Sequence, residues 1–263
     1  MKILTYAIDR SALGELSQRH RNQLFGCMFA HDELTFLNRL LMFTQNSVAD
    51  GGLHDHAQSV QIWCILQLLA GKIFETWLMM LKRVIPRREK DAVMEALSED
   101  HRVSLGWLLD YFGDSESNSK QCAIKIVRNT TAFHYGGLDM ERALKELVDG
   151  ENTIHLAQNP ANTLYFLGSA VVFRSIFSKV GDEVSPEVGR SFDKSVAEGV
   201  RLVMDDVKNA NYHIHQVLYG LIKSIIEKIP GNPLDGDAEE TTIQGLPRPE
   251  AIGLSPWLDM GEA

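Results

Sequence analysis

Apolar residues recur at helical spacing through almost the whole of residues 11–229, and alternating apolar–polar runs are scarce. A period near 3.6 buries one stripe of a helix, whereas a half-buried strand needs a period of two. The pattern therefore predicts an all-α chain with no sheet. A helical pair covers about 11–49, and "DGGLHDH" at 50–56 is a turn. A long helix runs from about His56 to Val84 and stops before Pro86. "REKDAVMEAL" and "VSLGWLLDYF" read as shorter helices, and "GDSESNS" at 113–119 as a loop. A helix is expected over 120–135, ended by Gly136-Gly137, and Asp139 caps the next one. Two more helices cover 161–179 and 191–229.

With 263 residues and 44% hydrophobic side chains, the chain can bury a sizeable core. Residues 1–229 read as a single all-α domain. Residues 230–263 hold five of the eight prolines and read as an irregular Pro/Gly-rich acidic tail. Seven acids against one base give that tail −6, so the domain carries −3 of the net −9. A local basic site can still steer a phosphate on such a surface. The most apolar stretch, "IWCILQLLAGKIFETWLMML" from Ile62, is interrupted by Gln67, Lys72 and Glu75 and reads as a core helix, not a membrane span. Cys27, Cys64 and Cys122 all fall in apolar helical patterns, which predicts reduced, packed thiols and a cytoplasmic setting.

Three clusters compete as chemistry. His54 and His56 flank Asp55, but no third ligand at matched spacing supports a metal, so they read as exposed loop histidines. His213 and His215 point about 200° apart on a helix and do not chelate together; one packs and the other is wet. The third cluster is "VRNTTAFHYGG", 127–137. It places Arg128, Asn129, two threonines, His134 and Tyr135 at a helix end. Arginine supplies a permanent forked cation for phosphate oxygens, and histidine exchanges protons near neutrality. Asparagine can orient substrate or the histidine. With an RNA 2′-hydroxyl as nucleophile no metal or other cofactor is needed. Arg128 and His134, six apart, lie about 120° off one helical face, so convergence calls for a loosened helix end or a site built from two subunits. The same residues also fit a purely structural role: His134 complementing the helix dipole, Arg128 in a salt bridge, Phe133 and Tyr135 packed.

Arg128-Asn129-x4-His134 resembles the motif of the HEPN superfamily (higher eukaryotes and prokaryotes nucleotide-binding domains), over about residues 20–180. The resemblance implies a HEPN-like helical bundle with additional C-terminal helices. It implies a metal-independent endoribonuclease of toxin or antiviral-defence type, acting on RNA as a homodimer, with an antitoxin or regulatory protein as a further partner. Arg128, Asn129 and His134 would be catalytic. Thr131, Tyr135 and Lys125 would contact the nucleotide. Glu75, an acid in an apolar helix, would orient Arg128, or else pair at the surface with Lys72 or Lys82. Some members of that superfamily lack activity, so the alternative is a helical module that binds a nucleotide or a protein.

Overall fold

The computed structural model describes residues 1–45, 52–85, 90–115, 120–131, 137–158, 160–236, 238–248 and 251–256. The expected all-α architecture is found. A short strand β1 (Lys2–Thr5) precedes the helices α1 (Arg10–Glu15), α2 (Gln18–Gln45) and α3 (Leu53–Met79). The end of α3 widens into a π-helical turn, Met80–Val84, two residues ahead of Pro86. Then follow α4 (Lys90–Ala96), α5 (Glu99–Phe112), α6 (Ala123–Thr131), α7 (Met140–Lys145), α8 (Phe166–Val184) and α9 (Phe192–Ile226). A strand β2 (Glu239–Thr242) closes the order.

The strands correct the expectation of no sheet and of an irregular tail. β1 pairs antiparallel with β2, Lys2 opposite Thr242 and Thr5 opposite Glu239. The ladder extends to Met1, whose N-terminus donates to the Ile243 carbonyl at 3.0 Å. Every residue of both strands is exposed, so backbone bonds and the Lys2–Glu240 ion pair at 2.8 Å hold the ribbon rather than a core. Further along, the Leu254 amide donates to the Phe43 carbonyl at 3.4 Å.

Two compact units emerge from the way the chain packs, each assembled from segments distant in sequence. The first comprises Met1–Thr35, Glu75–Lys120 and Ala210–Pro247. Its core includes Leu24, Trp77, Leu105, Leu108, Phe112 and Leu218, with Trp77 stacked on Phe112 at 5.7 Å. Where α9 passes α5, a Cβ on Gly220 would lie 2.6 Å from the His101 ring, so any other residue requires that ring to shift.

The second unit comprises Phe36–Phe74, Gln121–Asn209 and Arg248–Ala263. One crossing in it, α8 on α9, is set by two glycines. A Cβ on Gly181 would lie 2.1 Å from the Ser195 carbonyl oxygen, and one on Gly199 would lie 1.9 Å from that of Phe177. Backbone therefore packs on backbone. The approach also brings the fully buried Ser195 hydroxyl to Asp182, donating at 2.5 Å. Phe177 and Phe173 complete the packing against Trp63, with ring centroids 4.5 and 5.6 Å away.

One helix, Leu53–Val84, is long and apolar enough by length and composition to cross a membrane, against the expectation that no stretch qualifies. Half of its most apolar window is buried inside the protein. Leu66, Leu69, Ala70 and Ile73 lie at core spacing along it and are almost fully buried, so core packing accounts for the composition.

Candidate functional site

Helix α6 is amphipathic in the simplest sense. Ala123, Ile126, Val127 and Thr130, at i, i+3, i+4 and i+7, are all buried. Val127 packs in a tight recess with Trp63, Leu66, Phe173 and Phe177. The Thr130 hydroxyl is satisfied within the helix, donating to the Ile126 carbonyl at 2.7 Å. Burying that stripe turns the complementary stripe outward, namely Lys125, Arg128 and Asn129. Lys125 and Arg128 are half-buried and Asn129 is exposed.

Arg128 Nη1 donates to Asn129 Oδ1 at 3.0 Å. Its guanidinium carbon lies 5.8 Å from the centroid of the Phe74 ring, at the edge of cation–π range. Asn129 thus orients the cation, where substrate or His134 is the partner expected from sequence. Arg128 also sits in the last turn of α6, where the helix dipole favours positive charge. The segment 120–131 holds three cations and no acid.

The expected helix over 120–135 is found for 123–131. Its continuation, the side chain of Thr131, and His134, Tyr135 and Gly136 lie outside the described residues. Gly137 is described and has φ +79°, the left-handed conformation anticipated for the glycine pair. Both flanks of the segment are tied to α8: Gln121 donates to Glu183 at 2.8 Å, and Lys179 donates to the Gly137 carbonyl at 3.3 Å. Asp139 caps α7 as expected, accepting from the Arg142 amide at 3.0 Å. Glu75, the proposed supporting acid, is exposed on α3.

The histidine expectations need correction. His54, Asp55 and His56 are not in a loop but in the first turn of α3, which begins at Leu53. Asp55 suits that place because an acid complements a helix N-terminus. His54 is exposed, but His56 is half-buried and stacks face to face on Phe166 at 3.8 Å. Its Nδ1 lies 3.1 Å from Nε2 of His155, so one ring donates to the other. Burial, then the neighbouring His155, hold His56 below the usual histidine range. The pair spans 99 residues, and nothing local in either stretch announces it.

In the other unit, neither His213 nor His215 is simply wet. His213 stacks on Trp107 at 4.5 Å and bonds the Ser104 hydroxyl at 3.2 Å. His215 Nδ1 donates to the Asn211 carbonyl at 2.8 Å, which leaves Nε2 to accept from Thr35 at 3.2 Å. The two sit on opposite faces of α9 and each finds its own neighbours. Burial lowers the pKa of both.

The pH dependence follows. A histidine whose folded pKa is depressed adds stability that is complete above its unfolded pKa, about 6.5. That contribution falls as pH drops toward the folded value, because the unfolded chain binds the proton first. With three such histidines the melting temperature is expected to fall as pH is lowered from about 7 to about 5.5. Replacing His215 with glutamine should flatten that slope in thermal melts. A melting temperature constant across this window would contradict the assigned environments.

Arg174, which in the sequence only interrupts an apolar run, is the hub of a further cluster. Its guanidinium bonds Glu151 at 3.3 Å, the Glu146 carbonyl at 2.8 Å, and Asp193. Phe192 lies beneath it and beneath Arg142, at 5.5 and 4.9 Å. These contacts engage both terminal nitrogens of a largely buried cation and read as structure.

The thiols agree with expectation in part. None of the three cysteines forms a disulfide among the described residues, and Cys27 and Cys122 are buried. Burial pushes the Cys27 thiol up to about 12, so it stays protonated. Cys64, expected to be packed, is exposed. No group of three or more His, Cys, Asp or Glu among the described residues is placed to hold a metal ion.

No protein-family model, no curated protein and no solved structure matches this chain.

Proposed function

We propose that the protein is a metal-independent endoribonuclease of HEPN type, a cytoplasmic homodimer with a toxin or antiviral-defence role. The observation that carries this reading is the outward stripe of α6, where Asn129 holds the Arg128 guanidinium beside Lys125. A core helix that turns a forked cation and its orienting amide outward, with no acid in the segment, suits a phosphate ligand. The spacing to His134 supplies the proton-transfer partner.

In this reading the ribose 2′-oxygen attacks the adjacent phosphorus and loses its proton, and the bond from phosphorus to the 5′-oxygen breaks. The products are a 2′,3′-cyclic phosphate and a 5′-hydroxyl, the leaving oxygen taking up a proton. His134 moves protons, Arg128 stabilises the extra charge on the five-coordinate phosphorus, and Asn129 fixes Arg128. Thr131 and Tyr135 contact the nucleotide, and Lys125 adds positive potential. An antitoxin or regulatory protein restrains the activity.

The six-residue spacing favours a site that takes Arg128 from one subunit and His134 from the other. The protein is then expected to sediment at twice its chain mass of 29.5 kDa. Mixing inactive Arg128→Ala and His134→Ala proteins tests both points. Subunit exchange makes half of the dimers mixed, each with one intact composite site, so about a quarter of the wild-type activity should return. A monomer, or no recovery on mixing, rejects the composite site. Wild-type protein that binds RNA without cutting it would favour the binding-module alternative.

A further inference from the structure

The first unit carries two adjoining grooves that share Arg19 and Gln23. One, of about 480 Å³, is lined by Gln18, Asn22 and Arg83 besides the shared pair. The other, of about 200 Å³, adds His20, Lys228 and an apolar floor that includes Val84, Leu221 and Ile225. Among the described residues that line them there is no aspartate or glutamate.

That composition is unusual for this chain, which has 35 acids against 26 bases. Several cations elsewhere are neutralised: Lys2, Arg102, Arg142, Arg174, Arg190 and Arg201 all lie within ion-pair distance of a carboxylate. In the grooves, Arg83 and Lys228 are exposed and form no ion pair among the described residues. In sequence, Arg83 belongs to "KRVIPRREK", residues 82–90, with five cations against one acid. An acidic protein that leaves one such cation in each of the two adjoining grooves without a carboxylate partner among the described residues keeps a local positive potential there.

The lining is also built rather than loose. Arg83 belongs to the π-helical turn at the end of α3, and its carbonyl accepts from the buried Gln23 amide at 2.7 Å. That bond fixes the backbone on which the guanidinium is mounted, and π-helical turns recur at functional positions.

We infer that these grooves bind the phosphate and base of a ribonucleotide, free or within an RNA strand, at Arg19, Arg83 and Lys228. The two guanidiniums match phosphate oxygens in a forked arrangement. The amides of Gln18 and Asn22 can pair with a base edge or a ribose hydroxyl, and the apolar floor accepts a base face. Volumes of this order suit a small polar ligand. The inference stands apart from the reading of Arg128, because it concerns the other unit and requires no cleavage.

The test is fluorescence anisotropy of a labelled ten-residue oligouridylate, on protein carrying Arg128→Ala so that the probe is not consumed. Arg83→Glu with Lys228→Glu is expected to weaken binding at least about tenfold. The slope of log Kd against log salt should fall by about 1.4, because two phosphates of a single strand are no longer neutralised. Arg83→Ala alone, at an exposed position, should weaken binding severalfold with unchanged circular dichroism. Displacement of the probe by uridine monophosphate would identify the free nucleotide as sufficient. Resistance to the monophosphate but displacement by unlabelled strand would identify the strand. Affinity unchanged within twofold in the charge-reversed variant, or equal displacement by polyglutamate, would overturn the inference. Wild-type protein that cuts no RNA yet binds it through Arg83 and Lys228 would reject the ribonuclease reading and leave this one standing.

Discussion

Gly199→Ala and Gly181→Ala are each expected to destabilise the second unit by about 3 kcal/mol or more, at the upper end of the overpacking range. The added methyl would sit 1.9 or 2.1 Å from a backbone carbonyl oxygen. No side-chain rotation relieves a clash with backbone, so α8 and α9 must separate. Separation also loosens the bond from Ser195 to Asp182 and the packing of Phe177 on Trp63. For a chain of this length the melting temperature should drop by roughly 6–12 °C. The double variant should cost less than the sum, because one separation relieves both clashes. Gly71→Ala is the control. It lies within α3 with nothing within 4 Å of the new methyl, so it should be neutral or stabilising by up to about 1 kcal/mol. Melts in which Gly199→Ala behaves like Gly71→Ala would show that the crossing is not that close.

The second large effect is at Arg128. Arg128→Ala is expected to lower the rate of RNA cleavage on the order of 10²–10³-fold, the usual cost of losing a donor aimed at developing charge. Arg128→Lys should lose most of the same factor. A lysine keeps the charge but has no planar fork, so it cannot meet Asn129 Oδ1 and a phosphate oxygen in one geometry. Asn129→Ala should be milder, since it frees the guanidinium without removing it. Single-turnover rates separate these outcomes from changes in RNA affinity. Stability should hardly change in any of the three, because Arg128 is half-buried and Asn129 exposed, while the buried stripe of α6 is untouched. Unfolding of Arg128→Ala would instead mark the arginine as a structural cation.

What the sequence reveals follows a physical division. Helices are legible wherever a stripe has to be buried. Ala123, Ile126, Val127 and Thr130 recur at helical spacing and are buried, and that also determines which face Arg128 and Asn129 take. Caps are legible because their chemistry is local, as with Asp139 ahead of α7. Features made by distant residues are not. β1 and β2 are four residues each, fully exposed, and lie near opposite ends of the chain. No burial pattern announces such a ribbon. His56 meets His155, and His215 meets Thr35, across 99 and 180 residues. The cationic grooves draw on α2, the turn after α3, and the end of α9 for the same reason. The bond between Arg128 and Asn129 joins neighbours, yet its direction depends on side-chain rotamers that the sequence does not specify.

The most direct measurement is of the RNA ends left by the purified protein in excess EDTA. The 2′-hydroxyl mechanism with Arg128 and His134 predicts cleavage at the same rate with and without the chelator, leaving 2′,3′-cyclic or 3′-phosphate and 5′-hydroxyl ends. It predicts loss of those products in Arg128→Ala and His134→Ala alike. Products bearing 5′-phosphate and 3′-hydroxyl ends, cleavage that vanishes with EDTA, or no cleavage by wild-type protein freed of any co-purifying partner would contradict it.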